Sequence, residues 1–109
     1  MSNTPGLLSV VIPAYRVADQ ILTVIAGIGP EVGLIYVVDD ACPQNSGALV
    51  QQHCSDPRVR VLLHRRNTGV GGAVLSGMRA ALADGADLIV KLDGDGQMDP
   101  ALVPALVSP

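Results

Sequence analysis

Three carboxylates fall within seven residues of "DLIVKLDGDGQMDP" (87–100): Asp93, Asp95 and Asp99, with Gly94 and Gly96 interleaved and Gln97 directly after. In an extended segment Asp93 and Asp95 share a side, and glycines leave room for a ligand to approach. Like charges this close are costly unless a cation neutralises them. Hard oxygen ligands suit Mg²⁺ or Mn²⁺, held by one or two carboxylates plus ligand phosphates. A solvated acidic turn is the plain alternative, since Asp and Gly are common turn residues. An EF-hand loop beginning at Asp93 fails, because Met98 and Pro104 stand where Gly and Glu are required. A phosphotransferase or phosphatase nucleophile of the DxDGT kind stays open with Asp93 as nucleophile, although Gln97 replaces its Thr.

Further polar stretches could join this one. "VVDDACPQNSG" offers Asp39 and Asp40, which can accept hydrogen bonds from a nucleobase or ribose. One of them could instead cap the following helix, which leaves the other unexplained. "RRNTGVGGAV" places Arg65 and Arg66 before glycines where a helix begins, a setting that favours anions. Val74 and the position after the third strand argue against a Rossmann G-x-G-x-x-G, and the glycines also allow close helix–sheet packing. "VVIPAYR" sets Tyr15 where it can stack on a base. His53 and His64 have no partners at metal-ligand spacing and are left outside the site.

The elements that must position these residues alternate. Apolar runs at 7–12, 34–40, 58–64 and 86–92 read as strands, the third nearer a sheet edge. Helical periodicity covers 17–28, 46–54 and 70–83, with Val70, Ala73, Val74, Gly77 and Ala81 on one stripe, and a last helix is expected after Pro100, capped by Asp99. The expected fold is α/β: a Rossmann-like parallel sheet in the order 3-2-1-4 with helices on both faces. Every polar stretch then follows a strand, so the four converge on the carboxyl rim where such sheets bind ligands.

Composition narrows the rest. The chain has 109 residues, 49% hydrophobic, with two Tyr and neither Phe nor Trp. That is one domain at most, with a core of aliphatic residues and Ala. A net charge of −3 and the lack of stacking aromatics exclude nucleic acid as partner. No stretch approaches a membrane span, and "MSNTPGLLSVVIP" lacks signal-peptide features. Cys42 and Cys54 read as free thiols in a reducing cytoplasm.

Taken together, "VVIPAY", "YVVDDACPQNSG", "RNTGVGGAVLSGMRAAL" and "KLDGDGQMDP" resemble the donor-binding half of family-2 glycosyltransferases of the GT-A fold. The similarity is strongest to the polyprenyl- and dolichyl-phosphate sugar transferases. It implies a UDP- or GDP-sugar donor, a divalent metal, inverting transfer and an acceptor such as a polyprenyl phosphate. By that resemblance Pro13, Ala14 and Tyr15 line the base and ribose, and one of Asp39 and Asp40 contacts the base. Arg66, Asn67 and Gly69 form a further nucleotide segment, and Asp93 and Gly94 adjoin the diphosphate. Asp93 and Asp95 supply the metal-binding pair, with Gln97 as a further contact. The usual Gly-Ser after the Asp pair is replaced by Ala41-Cys42-Pro43. The general base is expected beyond Pro109, so the chain reads as a truncated donor-binding half that binds nucleotide weakly and transfers no sugar. The longer protein is expected at the cytoplasmic membrane face, and an open fourth strand invites a homo-oligomer. A nucleotide-binding or interaction module without chemistry is the non-enzyme alternative.

Overall fold

The computed structural model describes residues 7–93. Seven elements alternate: β1 (Leu8–Ala14), α1 (Ile21–Ala26), β2 (Leu34–Asp39), α2 (Ser46–His53), β3 (Val59–Leu63), α3 (Gly69–Ala83) and β4 (Leu88–Lys91). The four strands form one parallel sheet in the order β3-β2-β1-β4, as the alternation predicts. Central β1 and β2 are nearly continuous apolar runs, broken by Ser9 and ended by Asp39, because both of their faces are covered. Val10, Ile12, Ile35 and Val37 pack against Ile21, Val24, Ile25 and Val50 of α1 and α2. The alternate residues Val11, Tyr36 and Val38 meet Ala73 and Ala81 of α3 on the other face. Pleat alternation thus assigns each residue of β1 and β2 to one helical layer.

The glycine that lets α3 approach the sheet is Gly77, not one of the three at its start. A Cβ at Gly77 would lie 2.3 Å from Val11 Cγ1, whereas Gly71 faces open space and Gly69 has φ +81°.

Helix α1 is shorter than the periodicity of 17–28 predicts. Val17 and Ile28 are buried as expected, but they belong to turns on either side of a six-residue helix. Arg16 at φ 57° delays the start, and Gly27, Gly29 and Pro30 end the run. Arg58, at the foot of β3, closes the connection into β2. Its guanidinium donates to the carbonyls of Ile28, Gly29 and Val32 and to the carboxylate of Asp56. The helix expected after Pro100, with Asp99 as its cap, lies outside the described residues. No described helix is long and apolar enough to cross a membrane.

Candidate functional site

A cavity of about 370 Å³ opens at the carboxyl rim, where β1, β2 and β4 end and α3 begins. Pro13, Ala14, Tyr15 and Val17 line it from β1 and its loop, and Asp40 from the end of β2. Asn67, Gly69, Val70 and Ala73 close the α3 side, and Asp93 closes the β4 side. Residues from stretches far apart in the chain therefore meet, because parallel strands carry all their exits to one edge.

Asp40 is the buried charge of this cavity, its side chain 4% exposed. Its Oδ1 accepts from the Thr68 amide at 2.8 Å and the Thr68 hydroxyl at 2.7 Å, and lies 2.9 Å from His64 Nδ1. Burial pushes the Asp40 carboxyl up, but hydrogen bonds from His64 and Thr68 outweigh it. The group is held below the usual carboxylate range, hence ionised and acceptor-only at neutral pH.

Asp39 does something else. Its carboxylate accepts from the Cys42 amide at 2.7 Å and the Gly47 amide at 2.8 Å, so it folds the β2–α2 loop and caps the first turn of α2. A Cβ at Gly47 would come within 2.8 Å of Asp39 Cβ, which explains a glycine inside that turn. Asp39 does not line the cavity.

Tyr15 is 41% exposed at the mouth, with the Arg16 guanidinium carbon 5.5 Å from its ring centroid. The loop that carries it is pinned from β2: the Arg16 amide donates to Cys42 Sγ at 3.0 Å and the Ala18 amide to Gln44 Oε1 at 3.2 Å. Burial raises the Cys42 thiol, but hydrogen bonds from Ser46, Arg16 and Gln44 bring it below its ordinary value. The unusual Ala41-Cys42 pair thus has a geometry of its own, with Ala41 left-handed at φ 57° and the thiol as an acceptor between two loops.

Asn67 shapes the third loop. Its Nδ2 donates to the Asp40 carbonyl at 3.2 Å, and its Oδ1 accepts from the Gly69 amide at 3.0 Å. Arg66 is exposed on the same loop and does not line the cavity. Asp93 sits 3.2 Å from Lys91, both side chains near half exposed, a pairing worth little in water. Gly94, Asp95 and Gln97 lie outside the described residues. Among the described residues no three His, Cys, Asp or Glu side chains gather as a metal cluster. Asp93 alone offers one hard-oxygen ligand at the cavity rim, a donor of the kind Mg²⁺ or Mn²⁺ takes.

Sequence reasoning left His64 and Thr68 aside. His64 is half-buried and bonded to Asp40, and it stays outside the cavity lining while supporting a residue that belongs to it. The available signal was its place directly after the third strand, on the same rim as the arginines that follow it.

Among curated proteins, the chain is 38% identical over 74 residues to an undecaprenyl-phosphate mannosyltransferase of Micrococcus luteus, covering 67% of this chain and 30% of that one. It is 32% identical over 96 residues to a polyprenol monophosphomannose synthase of Mycolicibacterium smegmatis, covering 84% and 36%. The chain therefore spans about a third of the length of these relatives. Among solved structures, S. aureus TarS 1-349 in complex with UDP superposes with a TM-score of 0.64 at 20% identity, over 82% of this chain and 27% of that one. That likeness concerns the fold. The model described as glycosyl transferase family 2 matches residues 9–109, and the chain belongs to that family.

Proposed function

We propose that the chain carries the donor side of an inverting glycosyltransferase that moves a sugar from a UDP- or GDP-sugar to a polyprenyl phosphate. One observation carries the reading: an ionised, acceptor-only carboxylate, Asp40, shares a cavity with the exposed ring of Tyr15. Uracil and guanine present an imino N–H that such an acceptor can bind, whereas adenine and cytosine present a lone pair there. Tyr15 supplies a face for stacking.

Arg66 and the first turn of α3 would favour the donor phosphates. Asp93, with Asp95 and Gln97 of the same segment, would hold Mg²⁺ or Mn²⁺, which when bound neutralises the diphosphate and stabilises the departing nucleotide. The names of the relatives support a polyprenyl-type phosphate as acceptor. Such an acceptor is already ionised, so it needs orientation more than deprotonation.

Calorimetric titration of UDP, GDP, CDP and ADP, each with and without Mn²⁺, tests the reading. UDP or GDP should bind, more tightly with Mn²⁺, and CDP and ADP should bind at least tenfold more weakly, on the order of one lost hydrogen bond to a charged group. Equal binding of all four would remove Asp40 from base recognition. Phosphate release from a simple phosphoester would favour the phosphotransferase, and no nucleotide binding would favour a module without chemistry.

A further inference from the structure

His64 and Ser76 do not line the cavity, yet they form a hydrogen-bonded chain that ends on the carboxylate that does. His64 follows β3 and places Nδ1 2.9 Å from Asp40 Oδ1 and Nε2 2.8 Å from Ser76 Oγ on α3. Thr68 Oγ1 lies 2.7 Å from the same Asp40 oxygen and 3.2 Å from Nδ1. Three elements on one face of the sheet are tied together by these contacts.

Donor and acceptor roles follow from the chemistry. An ionised carboxylate only accepts, so both Nδ1 and the Thr68 hydroxyl donate to Asp40. A neutral imidazole protonated at Nδ1 carries a lone pair on Nε2, and the Ser76 hydroxyl must donate to it. The carboxylate therefore selects the tautomer, and the serine hydroxyl, able to donate or accept, follows it. The Asp-His-Ser connectivity resembles that of an activated nucleophile. Ser76, however, stands in the middle of α3 and does not line the rim cavity. The chain orients; it does not react.

We infer that His64 is a positioning residue for Asp40: with its ring set between the Ser76 hydroxyl and the carboxylate, it donates Nδ1–H to pin Oδ1 and leaves Oδ2 as the acceptor offered to a nucleobase. A carboxylate torsion is intrinsically broad, so this pinning removes freedom that binding would otherwise have to remove. The nucleobase rests on the donor-binding reading, whereas the tautomer and the pinning rest on the hydrogen-bond geometry and the ionised carboxylate.

Two measurements test it. A long-range ¹H–¹⁵N spectrum of the labelled chain should show His64 protonated at Nδ1, and Ser76→Ala should keep that form because the carboxylate still requires it. An Nε2–H pattern in the unsubstituted chain would overturn the inference. Binding of UDP then separates two variants. His64→Asn keeps an amide N–H near the place of Nδ1, and His64→Gln puts its amide near the place of Nε2. The Asn variant should stay within about threefold of the parent affinity, and the Gln variant should lose about tenfold, as other positioning partners do. Both lose the ring equally, so a purely structural role would weaken them alike, and that result also overturns the inference. If the parent chain shows Nδ1–H but binds no UDP, the donor-binding reading fails while the pinning of Asp40 stands.

Discussion

The carboxylates of Asp39 and Asp40, adjacent in the chain, serve opposite faces of the sheet. Asp39 holds the amides of Cys42 and Gly47 on the α2 side, and Asp40 holds Thr68 and His64 on the α3 side. Alternation along the strand forces this division, since Ile35 and Val37 share the Asp39 side and Tyr36 and Val38 the Asp40 side. Two like charges are tolerated next to each other because each points into its own set of donors.

The division predicts different phenotypes. Asp39→Ala leaves two buried amides without an acceptor and should cost about 2–4 kcal/mol of stability, read from the urea midpoint. Any loss of nucleotide affinity in that variant should follow the loss of folded protein. An Asp39→Ala chain as stable as its parent would show that the loop finds its acceptors elsewhere.

Much of this arrangement is legible in the residues themselves. The strand order follows from alternating apolar runs and short right-handed crossovers, and the convergence of four polar loops follows from the strand order. The pair Asp39-Asp40 announces that one member can cap a helix, and alternation puts the two on opposite faces, but only the packing of α2 shows that Asp39 is the cap. Harder to read are contacts that depend on tertiary approach. His64 reaches Asp40 from another strand, 24 positions away, and nothing local marks the pairing. The start of α1 was obscured because Val17 is buried by a turn yet keeps the helical spacing. Gly77 resembles any other small residue in a helix until Val11 is brought against it.

Gly77 therefore supplies a packing prediction. Substitution by Ala puts a methyl within 2.3 Å of Val11 Cγ1, so α3 must move away from the sheet or Val11 must turn. The cost should be about 1–3 kcal/mol, the range for overpacked cores. Gly71→Ala, in open space inside the same helix, should be neutral or stabilising by up to about 1 kcal/mol. Thermal unfolding of the two variants side by side makes the comparison, and equal effects would contradict the close packing.

Tyr36 governs the alkaline limit. It is buried on β2 and donates its hydroxyl to Asp84 beyond the end of α3. Burial, then the hydrogen bond and the charge of Asp84, push the phenol up to about 12 from its ordinary 10.0. The folded state thus holds this proton more tightly than the unfolded one. The contribution is complete below about pH 10 and is lost as pH rises through about 12. In a Tyr15→Phe background, phenolate absorbance should rise together with unfolding. Ionisation near 10 with the fold intact would show that Tyr36 is wetter than its packing implies.

Asp40 sets the acid side in the opposite sense. Its folded carboxyl titrates below the ordinary 3.8, so its contribution is present above that value and is lost as pH falls through the folded pKa. Between pH 7 and 5 nucleotide affinity should owe nothing to protonation of Asp40. An Asp40-dependent loss of UDP binding in that window would mean that the carboxyl is not held ionised by His64 and Thr68.

The most direct test of the account is a titration of Asp40→Asn with UDP and CDP beside the parent chain. The Asn oxygen can still accept from Thr68 and His64, so the cavity should keep its shape while its amide offers a donor where the carboxylate offered an acceptor. The account predicts that UDP affinity falls at least tenfold, on the order of a lost charged hydrogen bond, and that the preference for UDP over CDP shrinks or reverses. Unchanged UDP affinity and an unchanged UDP-to-CDP ratio, in a variant whose unfolding shows an intact fold, would contradict it.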